Sequence, residues 1–273
     1  MRAVLITGCS SGIGLATAEL LKARGWRVIA TARKPEDVAR LSAQGLEALQ
    51  LDVCDAASLQ HALATVFTLT GGELDALVNN AGIAVPGAVE DLSRANLQQQ
   101  FDTNFFGLVE LTRQVLPVMR RRGRGRIVMV SSILGRVAMP WRGAYNASKH
   151  ALEGITDTLR LELRGSGIHV VLVNPGPVRG RFRDNSLAYF DAQVDAAASV
   201  HSADYARLRA QTGSDKDRQP FTVGPEVVAA KIARALESPS PKARYYVTVP
   251  AYILATARCL LPTAWLDAVL ARV

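Results

Sequence analysis

Arg2-Ala-Val-Leu-Ile-Thr7, then Gly8-Cys-Ser-Ser-Gly12-Ile-Gly14, then Leu15-Ala-Thr-Ala-Glu-Leu-Leu21: this opening run decides the fold. Its first part is short, apolar and partly β-branched, as a buried parallel strand requires. Its last part has helical periodicity, and a turn rich in glycine joins the two. A glycine-rich turn alone is weak support, because turns need glycine anyway. Placed after a first strand and before a helix, it becomes a phosphate cradle. Backbone N–H groups approach the anion closely, and the positive helix end faces it.

The same alternation continues outward from this unit. Strand-like runs at 26–31, 46–51, 74–78, 126–130 and 168–173 are separated by helical stretches, and 244–249 reads as a last strand. Strands alternating with helices predict an α/β fold with a parallel, doubly wound sheet flanked by helices. With 273 residues, 49% of them hydrophobic, the chain can bury one large core. No linker, repeat or low-complexity stretch divides it, so one domain over 1–273 is expected.

The second strand runs into Ala32-Arg33-Lys34. An NAD site usually places a carboxylate here, to accept hydrogen bonds from the ribose 2′-hydroxyl. None is present, and Arg33 and Lys34 instead offer positive charge to a 2′-phosphate. Ser11 could add a hydroxyl donor. NADP(H) is therefore the expected coenzyme.

Tyr145-Asn-Ala-Ser-Lys149 follows Ser132 by thirteen residues. Positions i and i+4 share a helix face, which sets the Lys149 ammonium beside the Tyr145 phenol. Moving a phenol from its ordinary value near 10 to neutrality takes about three units, or roughly 4 kcal/mol of preferential phenolate stabilisation. A fixed neighbouring cation can supply much of that. A Ser hydroxyl could then hold a carbonyl oxygen while the Tyr moves the proton. Tyr-x-x-x-Lys by itself arises often by chance, so its weight comes from the rest of the chain. Ser132 follows the strand at 126–130, at a carboxyl end where open α/β sheets bind ligands. Ser131 is the alternative.

Gly8-x-x-x-Gly12-x-Gly14, Leu51-Asp52-Val53, Asn79-Asn80-Ala81-Gly82, Asn104, Ser132, Tyr145-x-x-x-Lys149 and Pro175-Gly176 occur in that order. Together they resemble the short-chain dehydrogenases/reductases over roughly residues 2–180. Thr7–Gly14 and 30–33 are similar to the NADP(H)-preferring branch that includes 17β-hydroxysteroid and retinol dehydrogenases. The resemblance implies a Rossmann-type fold and a role for each residue. Gly8, Ser10, Ser11, Gly12, Ile13 and Gly14 would hold the pyrophosphate side of the coenzyme, and Arg33 the 2′-phosphate. Asp52 and Val53 would meet the adenine, with Asn80, Ala81 and Gly82 packed on the adenosine. Ser132, Tyr145, Lys149 and Asn104 would be catalytic, Tyr145 and Lys149 also touching the coenzyme, and Asn104 holding a water linked to Lys149. Pro175, Gly176 and Val178 would lie against the nicotinamide. One departure stands out. Relatives often carry Thr two residues beyond the position of Val178, as a partner for the carboxamide, and here that residue is Gly180.

Residues 181–220 fit no strand–helix repeat and mix Phe182, Leu187, Tyr189, Phe190 and Val194 with charges. They are expected to form a substrate lid. With Val85, Ile133, Leu134, Met139 and Trp141 they suggest a pocket for a bulky hydrophobic substrate such as a steroid, retinoid, long-chain aldehyde or ketone. The apolar stretch 250–273 is too short to span a bilayer and is expected to form a helical tail. Packing on the core, lid or second subunit is favoured over contact with a membrane surface. The resemblance implies a homodimer through the helices around 104–119 and 145–163.

The net charge of +8 raises nucleic acid as a partner. The densest basic run, 120–126, has no interleaved aromatics and no accompanying motif, so no nucleic acid is expected. Cys9, Cys54 and Cys259 show neither metal nor disulfide spacing, which fits a reducing cytoplasm and no metal site. Cys9 reads as a small loop filler before it reads as an oxidation-sensitive thiol. No signal peptide is expected, the first apolar run being needed as a strand. The functional expectation is an NADP(H)-dependent oxidoreductase interconverting a carbonyl and an alcohol. The alternatives are a non-catalytic NADP(H)-binding redox regulator, which would not need the Ser/Tyr/Lys set, and a sugar-nucleotide epimerase, which needs a longer substrate domain.

Overall fold

A computed structural model describes residues 1–214 and 221–271. The parts of the lid and tail expectations that fall on 215–220 and 272–273 lie outside these. Seven parallel strands form one sheet in the order β3-β2-β1-β4-β5-β6-β7. They are β1 (Ala3–Ile6), β2 (Arg27–Ala32), β3 (Glu47–Gln50), β4 (Ala76–Asn79), β5 (Gly125–Val130), β6 (Ile168–Asn174) and β7 (Arg244–Tyr246). The helices are α1 (Gly12–Ala23), α2 (Pro35–Ala43), α3 (Ala56–Thr70), α4 (Arg94–Phe101), α5 (Gly107–Arg122), α6 (Gly143–Glu162), α7 (Phe182–Gln193), α8 (Ser202–Ser214), α9 (Pro225–Glu237), α10 (Val249–Leu260) and α11 (Thr263–Leu270).

Period-two alternation distributes the strand side chains between two cores. Val4, Ile6, Val128, Val130, Val171 and Val173 pack toward α1, α2 and α9. Leu5, Leu77, Ile127, Met129, Val170 and Leu172 pack toward α3, α5 and α6. Both faces are covered, which is why the strands read as continuous apolar runs. The chain builds β1-β2-β3 in one direction, then returns to add β4 on the other side of β1. The carboxyl ends of β1 and β4 flank that reversal, the place where doubly wound sheets bind ligands.

One expectation needs correction. The last strand ends at Tyr246 rather than Val249. Thr248 caps α10 by accepting from Ala251 N at 3.3 Å, with Pro250 in the first turn. A capping Thr followed by Pro starts a helix more favourably than it extends a strand. The segment 181–214, read as outside the strand–helix repeat, is built mostly of α7 and α8. Tyr205 accepts from Ala88 N at 2.7 Å and donates to Asp91, whose carboxylate also takes the Ser199 hydroxyl at 2.6 Å. Asn96 donates to Gln193 at 2.7 Å. The segment is thus stitched to residues 88–96. α10 and α11 pack through Ala251, Ala255, Leu266 and Leu270 onto Ile133, Leu134 and Val137. Among the described residues no helix is long and apolar enough to cross a membrane.

Candidate active site

The turn after β1 is closed by backbone contacts that leave no room for side chains. A Cβ on Gly14 would lie 2.3 Å from the Gly8 carbonyl oxygen and 2.6 Å from Asn80 Nδ2. Gly8 has φ +70°, and a Cβ there would meet Ala81 Cα at 2.9 Å. Asn80 holds this approach by donating to the Thr7 and Gly8 carbonyls at 2.9 and 3.0 Å. Thr7 Oγ1 accepts from the amides of Asn80 and Ala81, both at 2.9 Å. The two strand ends are therefore locked together. Ser11 caps α1 in extended conformation without a side-chain bond to the helix, and the first turn carries no acid. This is a helix end suited to an anion. Ser10 sits beside it, its carbonyl accepting from Arg40 at 2.7 Å and Arg181 at 3.0 Å.

Arg33 and Asp52 line one cavity of about 320 Å³ with Cys54, Gln98, Gln99 and Tyr189. No carboxylate stands at the end of β2. Lys34 turns away to Glu36 at 3.7 Å, leaving Arg33 as the cation in the cavity. Asp52 accepts from Cys54 N at 2.9 Å through one oxygen, and Val53 is buried beneath. Cys9 is fully buried, and burial pushes its thiol up to about 12, so it is an inert filler.

Asn104 stands in a π-helical turn, Asp102–Phe106, between α4 and α5. Gly107 N–H donates to the Asp102 carbonyl five residues back. Asn104 is fully buried; it accepts from Ile83 N at 2.8 Å and donates to Ile83 O at 3.0 Å and Ser148 Oγ at 3.1 Å. The expected water-holding duty thus falls on a side chain already clamping the segment after β4. A Cβ on Gly82 would lie 3.3 Å from Asn104 Oδ1 and 3.8 Å from Lys149 Nζ, so three candidates meet at one point.

Lys149, on α6, is 4% exposed and donates to the Val130 carbonyl at 2.8 Å. Its Nζ lies 5.7 Å from the centre of the Tyr145 ring. Burial lowers its pKa to about 8, with Glu153 pulling the other way. Burial also raises Tyr145 above the ordinary phenol value, opposed by a hydrogen bond from Ser132 and by Arg142. In the folded chain, then, desolvation outweighs Ser132 and Arg142, and the phenol moves opposite to the direction expected from the i, i+4 spacing. With a pKa of about 8, Lys149 stays largely protonated at neutral pH. Ser132 Oγ also accepts from Leu134 N at 3.1 Å, which fixes its rotamer. Ser131 Oγ is buried without a partner and lies under Gly135, so Ser132 is the one facing Tyr145.

Pro175 O accepts from Ile133 N at 2.9 Å, and a Cβ on Gly176 would strike Thr248 Oγ1 at 2.1 Å. The segment through Val178 continues as a bridge to Val223. Gly180 has φ +148°, a backbone region that a Thr would enter only with strain, and it approaches Gly12 Cα. The departure at this position is thus imposed by backbone conformation. Of the expected pocket residues, Phe182 packs edge-on against Tyr145 at 5.8 Å, with Met139 nearby. Val85, Phe190 and Val194 are buried where α7 and α8 pack on the segment after β4, and Ile133 and Leu134 are buried under α10 and α11. Arg40 and Arg181 around Ser10 were not anticipated; only their basic character could have hinted at it.

The fit to a nicotinamide dinucleotide is thus carried by the glycine cradle, the acid-free helix end and the Ser132–Tyr145–Lys149 cluster. The model for short chain dehydrogenases matches residues 2–188. The uncharacterized oxidoreductase YbbO of Escherichia coli is 42% identical over 98% of this chain and 94% of its own length. Human retinol dehydrogenase 8 is 38% identical over 89% of this chain and 80% of its own length. Among solved structures, a serine dehydrogenase complexed with NADP+ superposes with TM-score 0.78 at 26% identity, covering 90% of this chain and 94% of that one. A Burkholderia phymatum enzyme in complex with NAD gives 0.77 at 28%, covering 94% and 92%. The glycine cradle, the Ser132–Tyr145–Lys149 cluster and these likenesses over most of the chain agree: the chain belongs to the short-chain dehydrogenase family.

Proposed function

We propose that this oxidoreductase uses NADP(H) to interconvert a carbonyl and an alcohol on a hydrophobic small molecule. The carrying observation is the meeting of Ser132, Tyr145, Lys149 and Asn104 beside the Gly8–Gly14 cradle at the reversal of strand order. Preference for NADP(H) rests on Arg33 in the adenosine-side cavity and on the missing acid after β2. When bound, the coenzyme supplies or accepts a hydride at the nicotinamide. Gly8, Ser10, Ser11, Gly12, Ile13 and Gly14 hold its pyrophosphate, Asp52, Val53, Asn80, Ala81 and Gly82 its adenosine side, and Pro175, Gly176 and Val178 its nicotinamide face. The Val178 backbone stands in for the Thr that Gly180 replaces.

In the reducing direction the Ser132 hydroxyl donates to the carbonyl oxygen as negative charge develops there. Tyr145 delivers its phenolic proton to that oxygen. Lys149 stabilises the resulting phenolate and grips the nicotinamide ribose. Asn104 holds the segment after β4 against Lys149 and supports proton resupply. α7 and α8 act as the lid, with Phe182 over Tyr145. The unpaired thiols favour a cytoplasmic setting, and exposed Phe106 just before α5, with Ile155 and Leu161 on α6, favours a homodimer through those helices.

The test is a panel of apolar aldehydes and ketones with NADPH oxidation as readout, run beside Tyr145→Phe. Loss of at least about 100-fold in kcat, with NADPH affinity kept, is expected from removal of a general acid. A variant retaining a tenth of wild-type kcat would remove Tyr145 from the reaction.

A further inference from the structure

Glu153 lies on α6 one turn beyond Lys149 and two beyond Tyr145. It is only 4% exposed. A buried carboxylate persists only where partners offset its desolvation, and here they come from β6 and β7. Glu153 Oε1 accepts from Asn174 Nδ2, at the end of β6, at 2.6 Å. The same amide nitrogen donates to the Ser132 carbonyl oxygen at 3.1 Å. Glu153 Oε2 accepts from Arg244 Nε on β7 at 3.1 Å, and Arg244 reaches on to Asp157. Above, a Cβ on Gly135 would strike Glu153 Cγ at 2.9 Å, so the loop after Ser132 closes tightly over the carboxylate.

We propose that Glu153 is a positioning residue for the carbonyl chemistry: it fixes Ser132 through Asn174 and provides the countercharge to the buried Lys149 ammonium. This rests on the roles given above to Ser132, Tyr145 and Lys149. The charged and titratable groups around it are few. α6 brings Arg142 and Tyr145 in front, Lys149 alongside and Asp157 behind, with Arg160 on Asp157. β7 brings Arg244, and the loop packed on α6 brings Arg136. β5 presents the Val130 carbonyl, and β6 presents Asn174, its His169 lying at the opposite end of the strand. Removing a buried anion from this set weakens the hold on the ammonium and also relieves repulsion of the phenolate. Both changes move proton loss from the Tyr145–Lys149 pair to lower pH.

Glu153→Gln keeps the size and an acceptor for Asn174 but removes the charge. Arg244→Gln removes a cation from the same cluster and should act with the opposite sign. Two readouts are needed. One is the pH profile of kcat/KM for carbonyl reduction with NADPH. The other, in protein without coenzyme, is phenolate absorbance on titration, taken as the difference made by Tyr145→Phe in each background. Glu153→Gln should lower the apparent pKa by about one unit and Arg244→Gln should raise it. If either variant fails to fold, the other decides by its sign. Titration at wild-type pH in the folded variants, with only a lower melting temperature, would make Glu153 a structural ion-pair partner and overturn the proposal. Absence of turnover on every carbonyl would defeat the functional reading instead, and the absorbance titration would still judge the charge.

Discussion

Replacing Gly14 by Ala adds one methyl group at the most crowded point of the molecule. The new Cβ would sit 2.3 Å from the Gly8 carbonyl oxygen and 2.6 Å from Asn80 Nδ2, both far inside contact distance. Neither neighbour can give way cheaply. The carbonyl belongs to a backbone at φ +70°, and the amide is held by bonds of 2.9 and 3.0 Å to Thr7 and Gly8. Overpacking of this kind costs about 1–3 kcal/mol, and breaking one of the Asn80 bonds adds about 1 kcal/mol. A loss of about 2–4 kcal/mol lowers the melting temperature of a domain this size by roughly 5–12 °C. The displaced turn should also weaken NADPH at least tenfold. Gly12→Ala is the control: its φ is +59°, but a Cβ there meets nothing within 4 Å. Only the left-handed strain of about 1–2 kcal/mol applies. Differential scanning calorimetry and coenzyme titration measure both variants. A Gly14→Ala protein that melts within 1 °C of wild type and binds NADPH equally, on the order of no change at all, refutes the close-approach argument.

Three further outcomes are expected. Arg33→Asp should weaken NADPH far more than NADH, because repulsion replaces attraction at the 2′-phosphate; an unchanged ratio of kcat/KM values removes the basis for NADP(H). Lys149→Met should abolish turnover yet stabilise the fold at pH 7. The folded-state pKa near 8 lies below the ordinary 10.5, so burial of the ammonium costs about 3 kcal/mol below pH 8. Losing the bond to Val130 returns about 1 kcal/mol of that. Since the depressed pKa makes the penalty fade as pH rises from about 8 to 10.5, the variant's advantage in chemical denaturation must shrink over that window. A variant less stable at pH 7 contradicts the sign. Light scattering at micromolar concentration should give a dimer mass, and a monomer or tetramer mass rules out pairing through α5 and α6 alone.

The legible parts of this chain are those where one local rule had no competitor. β1, its turn and α1 follow from hydrophobic run, glycine and periodicity, and β2, β4, β5 and β6 follow because both sheet faces are buried there. Where two rules competed, one reading failed. Val247-Thr248-Val249 has strand composition, but Thr248 and Pro250 start a helix. The charged mixture at 181–214 hides two helices whose apolar faces are sparse, held instead by Tyr205, Asp91 and Asn96. The spacing of Tyr145 and Lys149 placed them together but could not weigh burial against charge. Glu153 escaped notice because its partners, Asn174 and Arg244, are brought in by strands remote in sequence.

The π turn at Asp102–Phe106 carries an evolutionary corollary. A π turn is an α-helix with one residue too many, usually kept where it serves a site. An α-helix advances about 100° per residue. Deleting a single residue from this turn would heal the helix and leave α4 and α5 nearly in place, because the wider turn absorbs its extra residue, but the side chains of the turn itself would be reassigned. Gln100, whose side chain bonds to Ile83 O and Val85 N, would keep its partners, while Asn104 would lose its bonds to Ile83 and its place under Gly82. The placement of Asn104 is therefore a matter of chain length as well as residue identity. A lineage that lost it by deletion would have to rebuild the floor beneath Gly82 at the same time.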